Sequence, residues 1–369
     1  MIRAGIMSMQ RIANYGSILQ AYALKKLLEE LGCEVEFADY HVGTPVNGDT
    51  GRKGLWRNIK KINEAFEAGA PTRETLKYLS FKKNFRENYW PLLGITEEMN
   101  YNPDVDLLVI GSDEVFNCLQ ENPAVGFSPE LFGKDNRAKV LISYAASFGN
   151  ATTDRMLNYD VLSKVQKWMK SNFKAISVRD SNSEDVVSKL GLKSVVHLDP
   201  VLTYDFKDEK EMPFRRPDFK YMIVYGYTGR FSEDECEKIR NYANEKDLKI
   251  INIGGIQQCC DEFVDCSPRL ILRWFMNAEC VVTDTFHGAI LSIITERPFA
   301  VYIRTEGYGN FEKLSDLLGR LSLEDRAVTD DFREILESPV NWKTVREIIK
   351  TYQISAKEYL TKWVKEASL

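Results

Sequence analysis

The stretch from Val281 to Ile294, VVTDTFHGAILSII, carries more reactive chemistry for its length than any other part of the chain. His287 is one of three histidines in 369 residues, and an imidazole is the side chain that gains or gives up a proton near neutral pH. Thr283, Asp284 and Thr285 precede it with two hydroxyls and a carboxylate, and Gly288 follows. Val281 and Val282 close a short apolar run, while Ala289, Ile290, Ile293 and Ile294 recur as one buried face of a helix. The spacing predicts a strand, a polar turn and a helix with His287 in its first turn. Such a turn aims backbone N–H groups outward at the positive end of the helix dipole. It can therefore hold an anion such as phosphate beside a proton donor or acceptor. A capped helix with a core histidine fits the same residues, and the pattern alone leaves both readings open.

A second set of polar residues stands just past other apolar runs. Asn14-Tyr15-Gly16-Ser17 follows the segment Ile2 to Met9 and opens a helix in which Ile18, Leu19, Tyr22, Leu24, Leu27, Leu28 and Leu31 recur at helical spacing. Gly32 ends that helix, and Val35 to Ala38 reads as the next strand of a βαβ unit. Val105 to Ile110 runs into Gly111-Ser112-Asp113-Glu114, Ala175 to Val178 into Arg179-Asp180-Ser181, and Val195, Val196 and Leu198 into Asp199-Pro200. Open α/β sheets collect their site residues at the carboxyl ends of strands, which is where Asp113, Arg179, Asp180 and Asp199 fall. A guanidinium there can clamp an oxyanion through two parallel hydrogen bonds, or it can pair with its neighbour Asp180. The aspartates suit sugar ligands or bases, and equally helix caps and turns. The Asn14 loop is not G-x-G-x-x-G, so no dinucleotide is expected.

The elements that must position these residues divide in two. Alternating strands and helices run to about residue 205, break at the charged, proline-containing stretch Tyr204 to Lys220, and restart at Tyr221. We therefore expect an α/β fold of two domains, 1–205 and 206–335, facing each other across a cleft where ligands bind. An amphipathic helical segment, 336–369, follows. Between about 43 and 102 the strand signal disappears. Arg52 to Glu87 holds ten Lys or Arg against four Glu, a balance of +6, with Leu55, Trp56, Ile59, Ile62 and Phe66 at helical spacing. This reads as a helical insertion in the first domain, with either a solvated basic face or a surface for an anionic membrane or a lipid-phosphate acceptor.

Composition excludes several classes. With 44% hydrophobic and 28% charged residues, the chain has the balance of a globular protein, and a net charge of -5 gives no general argument for nucleic acid, which is not expected as a partner. No apolar run approaches the roughly 20 residues of a membrane span, and Met1 to Gln10 lacks the layout of a signal peptide, so a cytoplasmic protein is expected. The seven cysteines are read as reduced thiols. Cys259, Cys260 and Cys266 do not have the spacing of a zinc site, so no metal is expected, and the adjacent Cys259-Cys260 pair has no assigned role. His41 and His197 are read as structural.

Taken together and in order, Asn14-Tyr15-Gly16-Ser17, Gly111-Ser112-Asp113, Ser177-Val178-Arg179-Asp180, Asp199-Pro200-Val201-Leu202 and Thr283-Asp284-Thr285-Phe286-His287-Gly288 resemble the polysaccharide pyruvyl transferase family. The resemblance implies a fold similar to that of GT-B glycosyltransferases, two Rossmann-like domains with a C-terminal helix crossing back to the first. It also implies transfer of a pyruvyl group from phosphoenolpyruvate to a sugar hydroxyl pair of a polysaccharide or its lipid-linked precursor, forming a ketal and releasing phosphate, with no further cofactor. On that reading His287 and Asp113 are catalytic. Arg179, Thr283, Asp284, Thr285, Gly288 and Arg304 hold the donor, and Asn14, Tyr15, Gly16, Ser17, Ser112, Asp180 and Asp199 the acceptor. Many family members carry an arginine two positions before the histidine, where this chain has Thr285; Arg179 and Arg304 are the candidates to supply that charge. A GT-B glycosyltransferase using a nucleotide sugar, and an inactive sugar-binding relative, are the competing functions.

Overall fold

Apolar residues run with little alternation through β3 (Leu107–Asp113) and β4 (Val140–Ala146), and nearly every residue of both is buried, as befits strands covered on both faces. The computed structural model describes residues 1–46, 62–305 and 311–369. Among these, 1–46, 89–205 and 347–369 form one compact unit, and 62–88, 206–305 and 311–346 form another.

In the first unit β1 (Ile2–Met7), β2 (Cys33–Phe37), β3, β4, β5 (Ser177–Val178) and β6 (Val195–Val196) make a six-stranded sheet in the order β2-β1-β3-β4-β5-β6. All its pairings are parallel. Helix α1 (Tyr15–Glu30) crosses from β1 to β2, and α2 (Ser181–Lys189) from β5 to β6. Strand order reverses between β1 and β3. The loops leaving those two strands therefore diverge and open a crevice at their carboxyl ends, and Ser8 to Asn14 and Gly111 to Asp113 lie there.

The second unit repeats the plan. β7 (Tyr221–Tyr225), β8 (Lys249–Ile253), β9 (Glu262–Phe263), β10 (Val281–Thr283) and β11 (Phe299–Val301) form a parallel sheet in the order β11-β10-β7-β8-β9, with α3 (Glu233–Glu245) between β7 and β8 and α4 (Phe286–Ile294) between β10 and β11. Its order reverses between β7 and β10, so Gly226 and Asp284 each leave a strand at the reversal. The protein thus contains two Rossmann-like domains.

The helical insertion departs from the expectation that it belongs to the first domain. Of the segment 43–102, residues 47–61 lie outside the described residues, while 62–88 group with the second unit. The cause is the aromatic face of the helix Thr72–Tyr89. Tyr78 and Phe81 pack on Phe263 of β9 at 5.5 and 5.4 Å between ring centroids, and the buried Glu74 carboxylate accepts the Phe263 N–H at 2.8 Å. An edge strand offers unpaired backbone donors, and Glu74 satisfies one of β9's. Arg73, Leu76, Lys83 and Arg86 remain exposed.

The C-terminal helix α5 (Trp342–Ala367) is continuous. Residues 347–369 belong to the first unit, where the Tyr359 hydroxyl donates to the Ser143 carbonyl at 2.9 Å. His197, 2% exposed, lies between Tyr144 and Tyr359, with Nδ1 2.8 Å from Ser177 Oγ and Nε2 3.3 Å from Ser355 Oγ. Burial lowers its pKa from 6.5 to about 4. Below pH 6.5 the unfolded chain takes up a proton that the folded chain accepts only near pH 4, so stability is full above this window and falls as pH drops through it. The expected loss is about 3 kcal/mol. Urea titrations of wild type and His197→Gln across this range check it: the variant should lack this component of the acid slope, and parallel curves would remove the assignment.

Candidate functional site

Several of the polar residues that the sequence places after a strand are drawn first into backbone chemistry. A helix leaves its first N–H groups without intrahelical partners, and a short polar side chain at the preceding position accepts one of them. Asn14 accepts the Ser17 N–H for α1, Asp180 the Ser183 N–H for α2, and Thr285 the Gly288 N–H for α4. Asp199 accepts the Val201 N–H at 3.0 Å. These contacts hold each loop in a fixed shape.

In the first unit the sequence-chosen residues converge at the β1/β3 reversal. Arg179, 4% exposed, extends from the end of β5 with one terminal nitrogen 3.0 Å from Asp199 Oδ2 and the other 3.5 Å from Asp113 Oδ1. Asp180 is not its ion-pair partner. That carboxylate is taken up by the α2 cap and by the Ser147 hydroxyl, which donates to it at 2.5 Å. Burial opposes the guanidinium charge, but Asp113 and Asp199 more than offset it, and the pKa of Arg179 is raised. Asp113 has φ of +74°, a region few residues other than Gly, Asn and Asp visit, and its Oδ2 accepts the Ser17 hydroxyl at 3.1 Å. Gly111 before it has φ of +132°, and a Cβ there would stand 2.2 Å from the Tyr144 carbonyl oxygen. Tyr15 is fully buried and packs against Tyr89.

Sequence reasoning missed two members of this cluster. Gln20 Oε1 accepts the Ser112 N–H at 3.1 Å and its Nε2 donates to Ser8 Oγ at 2.9 Å, while Ser8 Oγ donates to the Ser112 carbonyl at 3.0 Å. The Ser112 hydroxyl donates to Asp199 Oδ2 at 3.1 Å, so the network is continuous from β1 to Asp199. The available signal was a glutamine inside the apolar run of α1.

In the second unit the turn from β10 into α4 is built by its hydroxyls. Thr283 Oγ1 donates to the Tyr225 carbonyl at 2.6 Å, accepts the Thr285 N–H at 3.1 Å, and lies 3.1 Å from Thr285 Oγ1. A Cβ at position 288 would come within 2.0 Å of Thr283 Oγ1, so only glycine fits there. His287 sits half-buried in the first turn of α4, its ring edge-on to Phe286 at 5.5 Å. Asp284 is fully buried and its Oδ2 lies 2.9 Å from Arg230 Nε and 3.5 Å from Arg304 Nε. Arg304 is held in turn by Glu235 through two contacts of 2.6 and 3.0 Å. Burial raises the Asp284 pKa, with Arg230 and then Arg304 acting against it. Arg230 and Glu235 were not foreseen. Arg230 carries the same mark as the residues that were, a polar side chain in the loop leaving a strand.

The five motifs occur in the expected order, and the span that contains them, residues 14–305, matches the polysaccharide pyruvyl transferase family. The chain belongs to that family. Apart from Ser8, both clusters lie within the matched span. None of the curated proteins is a significant match. Among solved structures, the chain is similar to a putative UDP-N-acetylglucosamine 2-epimerase from Listeria monocytogenes, at 10% identity over 98% of this chain and 91% of that one, TM-score 0.47. It is also similar to the UDP-GlcNAc 2-epimerase of Methanocaldococcus jannaschii, at 11% identity over 95% and 99%, TM-score 0.46. The glycosyltransferase SnogD from Streptomyces nogalater shares 12% identity over 100% of each chain, TM-score 0.44. Likenesses this distant do not say what the present chain binds. Among the described residues no helix is long and apolar enough to cross a membrane, and no group of three or more His, Cys, Asp or Glu could hold a metal ion.

Proposed function

We propose that this family member transfers a pyruvyl group from phosphoenolpyruvate to two hydroxyls of a sugar, forming a ketal and releasing phosphate. The observation that carries the reading is the family match across both strand-reversal clusters, with His287 in the first turn of α4 and Asp284, at the strand exit before that helix, paired with Arg230 and Arg304. Protonation of the enol phosphate methylene leaves an oxocarbenium-like central carbon. One sugar hydroxyl attacks it and loses its proton to a base, phosphate departs with its electron pair, and the second hydroxyl closes the ketal by attacking the same carbon and giving its proton to the released phosphate. The step needs an acid near the methylene, a base near the hydroxyl, and donors on the phosphate and carboxylate oxygens.

We assign His287 to proton transfer, and Thr283, Asp284, Thr285, Gly288, Arg230 and Arg304 to building the donor side. Asp113 is the base on the acceptor side, with Asn14, Tyr15, Gly16, Ser17, Ser112, Asp180 and Asp199 shaping the loops around it. Arg179, first considered for the donor, is reassigned: its contacts with Asp199 and Asp113 suit it to orient the Asp113 carboxylate. Phosphate release from phosphoenolpyruvate in the presence of candidate acceptors tests the reaction. Release of a nucleoside diphosphate from a nucleotide sugar instead would establish the glycosyltransferase alternative.

The basic helical segment suits a lipid-phosphate acceptor or an anionic membrane surface. Reversing Lys60, Lys61, Lys82 and Lys83 to Glu, the first two outside the described residues, should weaken binding to anionic vesicles by roughly tenfold or more, since each cation near such a surface contributes about 1 kcal/mol. Unchanged binding at low salt would leave only a solvated face.

A further inference from the structure

Gln257, in the loop leaving β8, is fully buried, and both ends of its carboxamide are engaged by one turn of another loop. Its Nε2 donates to the Tyr227 carbonyl at 2.6 Å, and its Oε1 accepts the Phe231 N–H at 3.2 Å. Those two backbone groups bracket Thr228, Gly229 and Arg230 in the loop leaving β7. The two loops also meet backbone to backbone. The Gly229 N–H donates to the Ile256 carbonyl at 3.0 Å, and a Cβ at position 255 would stand 2.2 Å from the Gly226 carbonyl oxygen. A buried amide that satisfies one acceptor and one donor at once holds both in place, because either group left unpaired keeps its desolvation cost.

The turn so held carries the cations of the Asp284 cluster. Arg230 Nε lies 2.9 Å from Asp284 Oδ2. Phe231 is followed directly by Ser232, which caps α3 in a reciprocal pair of hydrogen bonds with Glu235. Glu235 holds Arg304 at 2.6 and 3.0 Å, and the Arg304 guanidinium lies over the Phe231 ring at 5.4 Å. At the start of the turn, a Cβ on Gly226 would meet the Phe231 ring at 2.7 Å, Asp284 Oδ1 at 3.0 Å and Gln257 Nε2 at 3.4 Å. Both guanidinium groups around the buried carboxylate therefore depend on segments that one amide keeps in register.

We propose that Gln257 is a positioning residue, which by fixing Tyr227 and Phe231 sets where Arg230 and Arg304 stand. On the function proposed above, on which this inference rests for its ligand, those arginines meet the phosphate of phosphoenolpyruvate, and Gln257 governs donor affinity through them. The role asks for an N–H and a carbonyl oxygen on one side chain, which a carboxamide offers without a charge and a hydrocarbon of the same length does not.

The test compares wild type with Gln257→Met, which keeps the side-chain length and removes both hydrogen bonds. Gln257→Glu removes the donor to Tyr227 in an isosteric side chain, and it gives the same readouts if the methionine variant does not fold. Arg230, whose side chain is 18% exposed, is probed with phenylglyoxal and peptide mass spectrometry, and phosphoenolpyruvate binding is measured by calorimetry on the same folded samples. Arg230 should react about threefold faster or more in the variants and phosphoenolpyruvate should bind about tenfold more weakly, the scale expected when buried polar groups lose their partner. The apparent constant for phosphoenolpyruvate should rise more than turnover falls. A purely structural amide would lower the melting temperature and leave both readouts at the wild-type value in folded protein. Unchanged Arg230 reactivity in a folded variant overturns the proposal, as does faster reaction with unchanged phosphoenolpyruvate affinity. If wild type binds no phosphoenolpyruvate while Arg230 reacts faster in the variants, the donor reading falls and the positioning of Arg230 by Gln257 stands.

Discussion

His287→Asn should lower turnover about 10²- to 10⁴-fold, roughly 3 to 5 kcal/mol of barrier, with little change in melting temperature. Asparagine approximates the shape of an imidazole edge and can donate a hydrogen bond, but it cannot carry a proton at neutral pH. His287 is half-buried and projects from the first turn of α4, whose cap is made by Thr285 and whose core face is Ala289, Ile290 and Ile293. Neither depends on the imidazole, so the fold should survive its removal. The measurement is single-turnover phosphate release on folded protein, where chemistry limits the rate. Turnover within about threefold of wild type would leave the imidazole no part in proton transfer, and lost stability with intact turnover per folded molecule would make it a packing residue.

The largest loss of stability is expected at Arg179. Arg179→Met keeps most of the side-chain volume and removes the charge, leaving Asp199, whose side chain is fully buried, without its cation. Breaking one side of a buried ion pair costs about 3 to 5 kcal/mol, because the remaining charge keeps its desolvation penalty and loses its compensation. Urea denaturation of Arg179→Met should show that loss, and the double variant Arg179→Met with Asp199→Leu should recover part of it. A loss under about 1 kcal/mol would mean that the pair does not hold the loops. Arg179→Lys separates position from charge: an ammonium can neutralise Asp199 but lacks the planar fork to reach Asp113 as well. The lysine variant should therefore recover stability more fully than turnover. If Arg179 instead meets the donor, the apparent constant for phosphoenolpyruvate will rise in the lysine variant at near-normal turnover.

Much of the local structure was already present in the sequence. Apolar runs leading into Asp113, Arg179, Asp199 and Thr283 mark strand ends because a buried parallel strand must be apolar throughout and its exit must be polar. Asn14, Asp180 and Thr285 announce helix starts because a side-chain oxygen at that position satisfies a backbone donor that nothing else in the helix can. Gly288 was identifiable as part of a motif, though the reason only glycine fits, the Thr283 hydroxyl 2.0 Å from any Cβ, is a contact across the turn. Helical spacing also runs through residues 154 to 170 with no glycine or proline to interrupt it. The chain forms Thr153–Asn158 and Leu162–Asn172 instead, with Asp160 at φ of +54° between them, a stop that helical periodicity does not register.

What the sequence by itself determined is the set of strand exits and caps, since these depend on a residue and its neighbours three or four positions away. Tertiary structure alone decided the partners. Arg179 is followed in sequence by Asp180, yet it pairs with Asp199 and Asp113, because β5 carries the guanidinium toward the β3 exit while the α2 cap claims the nearer carboxylate. Asp284 meets Arg230, 54 residues before it in the chain, because β7 and β10 are neighbours in the second sheet once strand order is set. The basic helix joins the second unit because its aromatic face meets Phe263 on an edge strand, and no property of residues 72–89 alone names that edge. Ion pairs and aromatic contacts act over a few ångströms, so their partners are chosen by strand order and crossover, which residue spacing along the chain does not encode.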